Sequence, residues 1–233
     1  MSDDPIGRVD TLAFDIFGTC LDLTAGLVPP LERFLARRKT ATDADGLWAL
    51  WRSRQRIEQF QDSLLALGHS GYIETARRAL VWVLRARQIE FNQLDIRDLM
   101  GAFERLEPFE DVRLALARLA RKYRLVALSN GNQWLLDDLC DNLPVAFEAR
   151  LSVDRYGRFK PHPAVYRGAA ATLGLEPCQM LMVAAHSFDV LGARSCGYRG
   201  AYIDRYGLPF EDVALLPDLV VSDFGELCDR LEV

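Results

Sequence analysis

The strongest constraint on the fold is a set of short apolar runs, each stopping abruptly at a polar or glycine-rich point. Residues 11–17 (Thr-Leu-Ala-Phe-Asp-Ile-Phe) close at Gly18-Thr19, residues 125–128 run into Ser129-Asn130-Gly131, and residues 180–185 stop at His186. Ala201-Tyr202-Ile203 and Leu219-Val220-Val221 repeat the pattern toward the C-terminus. Apolar runs of this length, without polar alternation, mark strands buried on both faces, as in parallel sheets covered by helices. Helical periodicity separates them over residues 111–122, 134–141, 163–173 and 188–196. The alternation predicts an α/β fold with a doubly wound, Rossmann-like parallel sheet.

One stretch interrupts this alternation. Between the first and second strands, residues 24–107 are helical in pattern throughout, with helices expected near 30–38, 44–67, 73–88 and 93–106. Gly68-His69-Ser70-Gly71 is the clearest break within it. The expected organisation is therefore a core of residues 1–23 and 108–233 carrying an inserted all-α helical cap subdomain over 24–107. Ligands of such sheets bind at the carboxyl ends of the strands. Asp15, Ser129-Asn130 and the segment from His186 to Asp189 stand there, so the site is expected between that edge and the cap.

Composition removes several classes of function. Half of the 233 residues are apolar and 26% are charged, the balance of a globular domain. Lys and Arg number 28 against 33 Asp and Glu, for a formal charge of −5, without the clustered basic excess that nucleic acid demands. No apolar run approaches the length of a membrane span, so no membrane partner is expected. The acidic start Met1-Ser2-Asp3-Asp4-Pro5 lacks the apolar core of a signal peptide. Five cysteines, Cys20, Cys140, Cys178, Cys196 and Cys228, are scattered and never paired as CxxC. That fits a reducing, cytoplasmic compartment rather than a disulfide framework or a zinc knuckle.

The ordered series Phe14-Asp15-Ile16-Phe17-Gly18-Thr19, then Leu128-Ser129-Asn130-Gly131, then Lys160-Pro161, then Asp189 after a further strand resembles the four loop motifs of the haloacid dehalogenase (HAD) superfamily. The insert is similar to that superfamily's helical cap. Phosphatases of the superfamily carry a second Asp two residues after the nucleophile, as the acid for the leaving alcohol. Here that position is Phe17, which transfers no proton. A halide leaves without protonation, and the Asp15-x-Phe17-Gly18-Thr19 pattern resembles the L-2-haloacid dehalogenase branch. Trp51-Arg52 with Gln55 resembles the cap helix of that branch.

The resemblance implies the following roles. Asp15 displaces the halide from carbon 2, and water hydrolyses the resulting aspartyl ester to the 2-hydroxy acid. Lys160 keeps Asp15 charged, Thr19 holds its rotamer, and Asp189 positions or activates the water. Ser129 and the backbone N–H groups of Ile16 and Phe17 receive the substrate carboxylate, while Arg52, Asn130 and Phe188 cradle the halide. Tyr166 stands near the substrate. Blander readings stand beside these: Thr19 as a helix N-cap, Phe188 and Tyr166 as core, Arg52 as a solvated helix residue, and Asp189 as a first-turn helix acid. Where known members of the branch carry Ser-Ser-Asn, this chain has Ala184-Ala185-His186. His186 either compensates, by taking a proton or donating to Asp189, or is a satisfied strand-end histidine. No cofactor and no metal are expected. The implied partners are a small 2-haloacid and halide. Trp48, Trp51 and Trp82 in the insert offer either a homodimer surface or the insert's own core. Other readings are a HAD hydrolase of a non-halogenated small carboxylate, a phosphatase, and a non-catalytic HAD-like protein.

Overall fold

The computed structural model describes residues 6–66 and 68–233. The N-terminal pentapeptide and Leu67, the expected end of the second helix, lie outside the described residues. Two compact units form: one from the chain up to Leu21 together with Pro108–Val233, the other from Asp22–Glu107.

The first unit is built on a parallel sheet. Its strands are β1 (Thr11–Phe14), β2 (Arg124–Ser129), β3 (Ala149–Ser152), β4 (Met180–Ala184), β5 (Arg199–Ile203) and β6 (Leu219–Val221), in the order β3-β2-β1-β4-β5-β6. Phe14 is in register with Ala127 of β2 and Val183 of β4, so the ends of the three central strands are level. The chain reverses direction of winding between β1 and β4, and there the loops after adjacent strands diverge to leave a crevice. β3 was not foreseen. As an edge strand it is half exposed at Ala149 and Arg150, so it carries no continuous apolar run.

Among the described residues, five α-helices of this unit lie between the strands or after them. They are α5 (Glu110–Leu119), α6 (Gln133–Asp141), α7 (Pro163–Leu173), α8 (Ser187–Ser195) and α9 (Phe224–Arg230), the last also unforeseen. His162 caps α7, its Nδ1 accepting the Ala164 N–H at 3.1 Å, and Pro163 occupies the first turn where no N–H is needed.

The described residues of the second unit form helices and no strand: α1 (Leu23–Arg37), α2 (Ala44–Leu65), α3 (Tyr72–Ala86), α4 (Gln93–Met100), then a 3-10 turn over Gly101–Arg105. Helix α1 begins seven residues before the expected residue 30 and carries Pro29 and Pro30 internally. The Asp22 carboxylate caps it, accepting the Ala25 N–H at 2.9 Å, and Leu23, Leu27, Leu31 and Phe34 bury one face. Capping and burial of that stripe outweigh the two backbone bonds the prolines forgo. Trp51 is fully buried and edge-on to both Trp48 and Phe103, with its indole N–H donated to the Ala76 carbonyl at 2.7 Å. Trp48 and Trp51 therefore belong to the unit's core, and only Trp82 of the three tryptophans is exposed, at 44%. Among the described residues no helix is long and apolar enough to cross a membrane.

Candidate active site

Asp15 leaves β1 with its N–H donated to Val183 of β4 at 3.0 Å, and the chain then turns sharply. The Ile16 carbonyl accepts from the N–H groups of both Cys20 and Leu21, which folds residues 16–21 into a tight loop. Gly18 makes the turn with φ +88°, a region that costs a side chain and suits glycine. Phe17 folds back so that its ring lies on Gly131. A Cβ there would come within 2.9 Å of the ring's Cζ. Phe17 is thus buried beside the β2 loop.

Six of the expected residues converge on the Asp15 carboxylate and on one another. Asp15 Oδ2 accepts the Thr19 hydroxyl at 2.7 Å and lies 3.0 Å from His186 Nδ1, while Oδ1 is 3.4 Å from Lys160 Nζ. Lys160 also donates to Asp189 Oδ2 at 2.7 Å, and the Tyr166 hydroxyl donates to Asp189 Oδ1 at 2.7 Å. The Thr19 oxygen in turn accepts the Ala185 N–H at 2.9 Å, tying the β1 loop to the β4 loop. Thr19 is no helix N-cap, because Asp22 holds that place. Tyr166 is core and network member at once. Asp189 is both the first-turn acid of α8 and a bridge between Lys160 and Tyr166. His186 Nδ1 is paired with Asp15, not offered to Asp189.

Electrostatics separate the two carboxylates. Burial opposes charge on Asp15, but the Lys160 ammonium, His186 and the Thr19 hydroxyl outweigh it and hold the group far below the usual carboxylate range. Burial dominates at Asp189, and the nearby Asp15 charge adds to it. Against the pull of Lys160 and Tyr166, its pKa is raised to about 6. Burial, reinforced by Asp189, pushes the Tyr166 phenol well above its ordinary value, so it remains a donor.

The β2 loop is fixed from below. The Ser129 hydroxyl accepts the Gly131 N–H at 3.0 Å, and the Asn130 Oδ1 accepts the Lys160 N–H at 2.9 Å. The second bond orients the Asn130 amide, leaving its NH2 as the group it can donate. Phe188 is half-buried rather than core, its ring 5.5 Å from that of His186.

Arg52 lies in the helical unit. It is half-buried there, with Nη1 donated to Gln55 Oε1 at 2.6 Å and to the Tyr72 hydroxyl at 3.2 Å, and with its guanidinium 5.6 Å from the Trp48 ring. These contacts make it a preset side chain, unlike a solvated helix arginine.

Two participants escaped the sequence reading. The Tyr206 hydroxyl donates to the Gly18 carbonyl at 2.7 Å, and its ring lies 6.1 Å from that of His186. Its one signal was position, three residues past the end of a strand. Ser152, whose hydroxyl donates to the Gly131 carbonyl at 2.6 Å, was missed along with β3.

Known proteins resemble this chain along most of its length. The family model described as haloacid dehalogenase-like hydrolase matches residues 9–197. The haloacetate dehalogenase H-2 of Moraxella sp. (strain B) is 29% identical, with 92% of this chain and 94% of that protein covered. The (S)-2-haloacid dehalogenase of Pseudomonas sp. (strain YL) is likewise 29% identical, over 95% and 94% of the two chains. A solved L-2-haloacid dehalogenase from Xanthobacter autotrophicus with chloropropionic acid covalently bound superposes with a TM-score of 0.81 at 26% identity, covering 96% of this chain and 98% of that one. With four motif loops meeting at the end of one sheet and a family match across most of its length, the chain belongs to the haloacid dehalogenase-like hydrolase family.

Proposed function

We propose that the protein is a hydrolytic dehalogenase that converts short 2-haloalkanoic acids, the L-isomers and haloacetates, into 2-hydroxy acids and halide, with Asp15 as nucleophile. The observation that carries this reading is a buried Asp15 beside the Lys160 ammonium, which favours its charged form, followed two residues later by Phe17 where a leaving alcohol would need an acid. Loss of a general acid costs a phosphatase about 10²–10⁴-fold, and a departing halide nothing. The dehalogenases named above support the same chemistry, and one of them holds chloropropionic acid covalently.

In the reaction so assigned, the backbone N–H groups of Ile16 and Phe17 with Ser129 receive the substrate carboxylate. An Asp15 oxygen attacks carbon 2 from behind, and the C–X pair leaves on the halide, which the Asn130 amide and the Phe188 ring edge stabilise; the resemblance gives Arg52 a part in binding that anion. Water then attacks the Asp15 ester carbonyl and passes a proton to Asp189. Lys160 keeps Asp15 ionised before attack and neutralises charge on the carboxylate pair.

The test is halide release from L- and D-2-chloropropionate, chloroacetate and fluoroacetate, with EDTA present and an Asp15→Asn variant alongside. Release from the L-isomer and the haloacetates, lost in the variant, is the expected result. Folded wild-type protein that frees no halide from any of them would sink the assignment.

A further inference from the structure

Resting on that reaction, we propose that Thr19 and His186 form the oxyanion hole of the ester-hydrolysis step, with Asp15 Oδ1 attacking the substrate and Oδ2 carrying the charge of the tetrahedral intermediate. The two oxygens of Asp15 are treated differently. Oδ2 has two short partners, the Thr19 hydroxyl at 2.7 Å and His186 Nδ1 at 3.0 Å, whereas Oδ1 faces Lys160 at 3.4 Å. An ionised carboxylate has no proton to give, so His186 must carry its proton on Nδ1. Thr19 is oriented the same way, because its oxygen already accepts the Ala185 N–H. Two close donors draw electron density onto Oδ2 and blunt it as a nucleophile. Oδ1, with the longer contact to Lys160 at 3.4 Å, keeps a lone pair for carbon.

The consequence differs between the half-reactions. In the first, the Oδ1 pair forms the new O–C bond, the C–X bond breaks, and the carboxylate loses negative charge; donors on Oδ2 give that step no help. In the second, the water oxygen bonds to the Asp15 carboxyl carbon, the C=Oδ2 pair moves onto Oδ2, and one water proton passes to Asp189. Collapse restores the carbonyl and expels the product with Oδ1, which takes that proton as its hydroxyl hydrogen. The second water proton dissociates as Asp15 returns to the carboxylate. Only this step builds charge on Oδ2, and only interactions stronger in a transition state accelerate it. Both donors stand at distances suited to an oxyanion, about 2.7–3.1 Å.

The imidazole is held for this task. Phe188 lies against it at 5.5 Å and Tyr206 at 6.1 Å between ring centres, and the Tyr206 hydroxyl is anchored on the Gly18 carbonyl. A Cβ on Gly18 would stand 3.0 Å from His186 Cε1 and 3.1 Å from the Tyr206 oxygen. Gly18 and Tyr206 are thus positioning residues for His186.

The experiment is rapid-quench and steady-state turnover of L-2-chloropropionate, with intact-protein mass measured during turnover. His186→Leu is expected to release one equivalent of halide per site at a rate close to wild type, then turn over about 10²–10³-fold more slowly. Its mass should show one carboxyethyl group on Asp15. His186→Asn, which keeps an N–H donor near the Nδ1 position, should recover most turnover, and Tyr206→Phe should show a milder accumulation of the same ester. Should His186→Leu fail to fold, Thr19→Val carries the same expectation of ester accumulation. Equal slowing of the first halide release and of turnover would overturn the proposal, as would wild-type turnover without trapped ester. A wild-type protein that frees no halide removes the underlying reaction, and the oxyanion assignment with it; that result alone involves the unaltered enzyme.

Discussion

Among the described residues Lys160, 1% exposed, is the one ammonium set between Asp15 and Asp189, and the two acids respond to their surroundings in opposite directions. The Lys160 ammonium, His186 and Thr19 hold the Asp15 pKa well below the usual carboxylate range against burial, whereas burial raises that of Asp189 to about 6. Two carboxylates with separated pKa values are how a site assigns a nucleophile and a proton acceptor to identical side chains. Ionised Asp189 is the form that accepts a proton, so kcat should fall about tenfold per pH unit below the Asp189 pKa of about 6 and be flat above it. A profile whose acid limb lies near the ordinary carboxylate range would contradict this. Lys160→Met leaves two buried carboxylates without their shared cation. It should abolish activity and lower Tm, whereas a merely exposed lysine would be replaced without loss.

At the scale of elements, the loops carry the chemistry and the strand ends fix where they begin. Gly131 illustrates the dependence. Any side chain there meets the Phe17 ring, so Gly131→Ala should displace Phe17 and the loop that follows Asp15. The expected outcome is a large fall in kcat with a small change in far-UV circular dichroism. Helix α2 presents two adjacent residues with separate duties. Trp51→Ala removes a fully buried indole and should cost about 3–5 kcal/mol of stability in a thermal melt. Arg52→Ala should lower the rate of halide release, since the resemblance assigns the half-buried guanidinium to the anion, and should cost less stability than Trp51→Ala, about 1–3 kcal/mol for leaving the buried Gln55 Oε1 without that donor. Legibility at this scale followed burial. β1, β2 and β4 run apolar because both faces are covered, whereas β3 sits at an edge with Arg150 half exposed, and its composition resembles a loop. Helix α1 was misplaced because a proline pair reads as a start, while the capping Asp22 and the buried leucine stripe begin it a full two turns earlier.

At the scale of the molecule, the site leaves a signature in stability. The Asp189 pKa in the folded chain, raised to about 6, exceeds its unfolded value of 3.8. Folding therefore favours its protonated form, and its contribution to stability declines as pH rises from the unfolded toward the folded pKa. Asp15, lowered, contributes stability above its unfolded value of 3.8 that is lost only as pH falls below it. The Tm of Asp189→Asn, relative to wild type, should consequently shift in the variant's favour between about pH 4 and about pH 7. A constant difference across that window would show that Asp189 is not perturbed. The sequence alone determined that buried strands alternate with helices, that a helical unit interrupts them, and that Asp15, Ser129, Asn130 and His186 stand at strand ends, because apolar period and loop chemistry are local properties. It could not place His186 on Asp15 rather than on Asp189, nor bring Tyr206 over Gly18. Those pairings join residues far apart in the chain. They exist because β1 and β4 are neighbours at the point where the winding reverses, and because a glycine at positive φ leaves open the space that an imidazole and a phenol then fill.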